Sequence, residues 1–70
     1  MINVKTELKQ ILLSRMKILY ETMDGIIDST ERSFIYGAIS ELKSLWIEIF
    51  IEEAPVEEEV REYKSKLPTN

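Results

Sequence analysis

The chain predicts an all-α fold: an antiparallel helical hairpin followed by a short C-terminal helix, one small domain over residues 1–70. Three observations lead there. Apolar side chains recur at helical spacing through two long stretches rather than alternating. Two Gly and two Pro supply too little turn chemistry for a many-stranded fold. Gly25 and Pro55, with good cap residues beside them, fall where the periodic stretches break.

The first helix is expected over about residues 3–24, with Val4, Leu8, Ile11, Leu12, Met16, Ile18, Leu19 and Met23 in phase. Asn3 suits its N-cap, because a short side-chain oxygen can accept an early backbone N–H. Gly25 suits its stop, where a positive φ is common. Asp28, followed three residues later by Glu31, reads as a capping box that opens a second helix over about 29–53. Phe34, Ile35, Ala38, Ile39, Leu42, Leu45, Trp46, Ile49 and Phe50 form its apolar phase. Residues 46–51, Trp-Ile-Glu-Ile-Phe-Ile, are rich in β-formers. The helical phase continues through them with no turn residue between, so helix is preferred. Pro55 disfavours helix at Ala54 and suits the first turn of a third helix over about 56–66. Val56, Val60, Tyr63 and Leu67 would share one face of that helix.

Two helices do not bury this much apolar surface. The apolar arc of helix two spans about 160° and that of helix one about 220°. A lone hairpin gives each helix one neighbour and leaves much of these arcs wet. A homodimer forming a four-helix-bundle-like assembly is the economical solution. Leu13, Tyr20, Tyr36, Trp46, Ile47, Phe50 and Ile51 are the apolar candidates for dimer or partner contact. Trp46 is expected as a core or dimer-seam anchor, and Tyr36 is the aromatic best placed for outside contact. Arg15 lies within the apolar arc of helix one and should reach the rim or pair with a carboxylate.

Composition removes most chemistry. No Cys or His is present, so thiol catalysis, disulfides and the commonest general base and metal ligand are missing. Gly25 and Gly37 stand alone, so no phosphate-binding loop is expected. No EF-hand pattern occurs, and no cofactor or metal site is expected. The charged start lacks an apolar signal region, and apolar runs are far too short to span a bilayer. A cytoplasmic protein without membrane contact follows as the expectation. The net charge of −4 argues against direct nucleic-acid binding.

That charge has one source. The first 47 residues carry six acidic and six basic side chains, whereas Glu48 to Glu62 hold seven Glu against Arg61 alone. Glu48, Glu52, Glu53, Glu57, Glu58, Glu59 and Glu62 are therefore the candidate acidic binding surface. Carboxylates in such an array can steer association with a basic protein. By base rate an acidic run is also a solvated face.

Residues 39–45, Ile-Ser-Glu-Leu-Lys-Ser-Leu, bear comparison with the SQELD-type stretch of a family of small helical-hairpin aspartyl phosphatases. Lys43 stands where that family carries its functional Asp. The resemblance therefore implies no phosphatase chemistry. In size, acidity and lack of catalytic residues the chain resembles the small acidic inhibitors of phages and mobile elements, some of which act as DNA mimics. The expected function is thus non-catalytic: an inhibitor or regulator whose Glu-rich surface binds a basic, nucleic-acid-binding type of partner as a DNA mimic. The alternative is a helical adaptor or regulatory subunit that docks a partner through an exposed apolar strip including Tyr36, Ile47 and Ile51.

Overall fold

The computed structural model describes residues 3–64, and all of its regular structure is helical. Helix α1 runs over Val4–Asp24, α2 over Ser29–Phe50 and α3 over Glu57–Glu62. Both expected N-caps form. Asn3 Oδ1 accepts from the backbone N–H of Lys5 and Thr6, and Asp28 Oδ1 from those of Thr30 and Glu31. Each satisfies donors that a helix start leaves without an intrahelical partner.

The helix ends differ from expectation in an instructive way. Gly25 has φ −91 and ψ 0 and needs no glycine freedom. Here α1 stops by tightening: the N–H of Gly25 bonds the Thr22 carbonyl, and that of Ile26 bonds the Met23 carbonyl. From α2, Arg32 reaches back to the carbonyls of Met23 at 2.8 Å and Ile26 at 3.1 Å, supplying the cation favoured at a helix C-terminus. The positive φ lies instead at Ile51, with φ 53 and ψ 45. A β-branched residue there is strained.

That turn ends α2 at Phe50 rather than 53. Pro55 sets only an outer limit on the helix, and the chain reverses earlier. The reversal brings Glu52 to Lys9, 2.7 Å away, and returns the chain toward α1.

Helix α3 is also shorter than the expected 56–66. Its last helical residue is Glu62, because Tyr63 is extended and its carbonyl accepts from Lys17 Nζ. Of the expected face, Val60 is fully buried and Tyr63 half-buried, whereas Val56 is exposed. Leu67 and Lys66 lie outside the described residues.

The hairpin is antiparallel. Lys9, near the start of α1, lies over the rings of Trp46 and Phe50 near the end of α2. The core is Leu12, Met16, Tyr20 and Met23 from α1, Ile39, Trp46 and Phe50 from α2, and Val60 from α3. Leu13, Leu19, Ile35, Leu42 and Ala54 pack around it. Trp46 and Phe50 meet edge to face at 4.9 Å, an arrangement favoured by the ring quadrupoles.

Helix α3 packs on α1. Beside the buried Val60, Arg61 grips Asp24 with both terminal nitrogens, at 2.7 and 2.9 Å, and Glu57 through Nε at 2.8 Å. The same guanidinium lies 5.2 Å from the Tyr20 ring centre. A two-pronged Arg–carboxylate pair is geometrically specific as well as attractive. Its hydrogen bond holds the Asp24 carboxyl below its ordinary range and raises Arg61 further.

Candidate interaction surfaces

The hairpin has two sides, and the helical wheel assigns residues to them. At about 100° per residue, Leu13, Lys17, Tyr20 and Asp24 lie about 110° to one side of the Leu12 line on α1. These are the residues that meet α3 or the segment leading out of it: Asp24 and Tyr20 through Arg61, Lys17 through Tyr63. About 80° to the opposite side lie Val4, Leu8, Ile11, Arg15, Ile18 and Thr22. Their spacing is four, three, four, three, four, the rhythm of a coiled-coil seam.

On α2, Phe34, Leu45 and Ile49 turn away from the Ile39 line in the same rotational sense as that seam on α1, by about 110°. An antiparallel pair is related by a local two-fold normal to its plane. Equal wheel angles therefore lie on the same side of the pair. Both stripes consequently face one side of the hairpin, opposite α3. Val4, Leu8, Ile11, Ile18, Phe34, Leu45 and Ile49 are 37 to 75% exposed there. Summed over whole residues at those exposures they offer roughly 700 Å² along this side, interrupted by Arg15, against the ~300–600 Å² that is the largest patch on a typical monomer.

Arg15 sits inside this open side. It is exposed and has no carboxylate partner among the described residues. Glu41, also exposed, borders the side from α2 at the same level of the hairpin.

The apolar candidates are divided by the fold. Tyr20, Trp46 and Phe50 are buried within the single chain, at 1, 5 and 5% exposure. Intramolecular packing thus takes them out of the surface that a second molecule can reach. Leu13 is half-buried, in an open cleft with Trp46, Pro55, Glu59, Glu62 and Tyr63. Tyr36, Ile47 and Ile51 are exposed, but on the wheel they lie toward the α3 side of α2. The largest open apolar area is elsewhere, on side chains of the two apolar arcs that were not among the contact candidates.

The acidic candidates are divided as well. Glu52 is paired with Lys9 and Glu57 with Arg61. Glu48, Glu53, Glu58, Glu59 and Glu62 are exposed, without an ion pair among the described residues. They are spread over the end of α2, the connecting segment and α3. Among the described residues no three carboxylates converge on a common point suited to a metal ion. Two buried polar atoms, Trp46 Nε1 and Tyr63 Oη, have no hydrogen-bond partner there. No described helix is long and apolar enough to cross a membrane.

Comparison with protein-family models, curated proteins and solved structures finds no match to this chain.

Proposed function

We propose that this protein is a non-catalytic helical interaction module whose working surface is the open apolar side of the hairpin. One observation carries the reading. Helix α3 packs on the α1 flank of one side of the hairpin, while seven large apolar side chains on the opposite side remain exposed. Apolar surface of that extent marks an interface. The Glu residues then flank the interface and keep the molecule dispersed.

A second reading is favoured by five carboxylates without ion-pair partners among the described residues, three of them on α3. In that reading the Glu-rich surface binds a basic, nucleic-acid-binding type of protein as a DNA mimic, and the chain is an inhibitor or regulator. Its support is weakened because Glu52 and Glu57 already serve ion pairs within the chain.

Photo-crosslinking in the producing cell separates the two. A benzophenone side chain is placed at position 34 in one variant and at position 58 in another. The apolar reading expects protein adducts from position 34 and few from position 58. Adducts from position 58 alone, lost at high salt, would overturn it in favour of the acidic surface.

A further inference from the structure

We infer that the occupant of the open apolar side is a second copy of this chain, packed so that α1 of each copy lies against α2 of the other. The inference rests on the reading that this side is the working surface, and it names the partner.

Area is the first argument. The roughly 700 Å² that one copy offers is close to the ~800 Å² per partner of a standard-size interface. A two-fold contact uses the same patch twice, so a self-complementary patch of that size suffices.

Spacing is the second. The seam of Val4, Leu8, Ile11, Arg15, Ile18 and Thr22 runs nearly the whole of α1 with alternating steps of four and three. That rhythm keeps a straight stripe aimed at a neighbouring helix. Within the chain α1 already has α2 on its core face and α3 on its other flank. The seam therefore addresses a further helix, and stacking two hairpins completes a four-helix bundle.

Charge chooses between the two closed arrangements. Two hairpins can stack with α1 on α1, or with α1 on α2 of the other copy. Arg15 lies next to the midpoint of α1, which spans Val4–Asp24. The first arrangement brings the two Arg15 side chains together across the axis, each without an ion-pair partner among the described residues. In the second, the two-fold runs along the bundle, so residues keep their height. Lys9 stands level with Trp46 and Phe50, and Met23 with Arg32, which places Arg15 level with Glu41. Arg15 of one copy then reaches Glu41 of the second copy. A single charged residue within an apolar seam commonly sets register and orientation, and the α1-on-α2 bundle satisfies it.

Sedimentation equilibrium of the full chain, from micromolar to near-millimolar concentration, tests this. The wild type is expected at twice the 8.2 kDa chain mass. Ile18→Glu and Phe34→Glu, each at an exposed position, should return it to the one-chain mass while the helical circular dichroism persists. A wild type at one-chain mass throughout, or face variants that still dimerise, would overturn the proposal. In the first of those outcomes, crosslinks from position 34 to other proteins would leave the open side standing as the working surface.

The arrangement has its own test. Arg15→Glu and Glu41→Arg should each weaken dimerisation by up to about tenfold, and the double exchange should recover most of the loss. A double variant no tighter than the weaker single one rules out the α1-on-α2 arrangement.

Discussion

The two sides of the α1–α2 layer begin with similar material and end differently. Both present apolar side chains at helical spacing. On the α3 side, Val60 closes the core, and Arg61 and Lys17 tie the returning chain down. On the open side, Ile18 and Phe34 remain 60 and 75% exposed. Among the described residues one short helix of six residues, α3, packs against the hairpin. One side is therefore covered within the molecule along its α1 flank, and the other is left open. The apolar stripe alone does not distinguish them. The side toward which the chain turns after α2 does.

The largest test of that contrast compares one truncation on each side. Val60→Ala should cost ~2 kcal/mol of stability, because a fully buried side chain leaves a cavity under α3. Ile18→Ala should stay within about 0.5 kcal/mol when measured in dilute, unassociated protein. Urea midpoints of the two variants provide the check, and equal losses would erase the distinction between the sides.

A smaller effect probes the turn that sends α3 to its side. Ile51 occupies the left-handed region while 83% exposed, so its side chain gains little there. Ile51→Gly should raise stability by about 1 kcal/mol, strain relief exceeding the entropy that glycine adds to the unfolded chain. Gly25→Ala should raise it by about 0.5 kcal/mol, since φ is ordinary and an added Cβ meets only the Thr22 carbonyl oxygen at 3.7 Å. Thermal unfolding of both variants measures this. A lower melting point for Ile51→Gly would mean that the turn is not strained as its backbone indicates.

The smallest effect is ionic. The Arg61 hydrogen bond lowers the Asp24 pKa from its value of 3.8. A depressed folded pKa contributes stability above the unfolded value, lost as pH falls through the lower folded one. The pair is at the surface, so the contribution is modest. The difference in urea midpoint between wild type and Asp24→Asn should be present at neutral pH and shrink below about pH 4. A difference that persists unchanged in acid would show that Asp24 acts without its charge.

Much of the fold is legible in the residues. Asn3 and Asp28 announce the helix starts because N-cap chemistry is local, a side-chain oxygen meeting an N–H two or three residues on. The helix ends are less legible. Gly25 invites a positive φ that the chain places at Ile51, because the reversal after α2 answers to where Glu52, Val60 and Arg61 must land. The candidate surfaces were readable as residue types and only partly as groups. Trp46, Phe50 and Tyr20 are attractive contact residues by size, yet the core takes them. Glu52 and Glu57 belong to the acidic block by sequence, yet Lys9 and Arg61 claim them from 43 and 4 residues away.

Periodicity and capping, whose interactions reach no further than about one helical turn, by themselves determined that this chain makes two long helices in a hairpin with more apolar surface than a hairpin can hide. Tertiary structure alone decided which of that surface is hidden. The decision turns on contacts across the chain, between α3 and α1 and between Lys9 and the end of α2. The first exists only once the backbone has reversed at Ile51, the second only once the hairpin has closed.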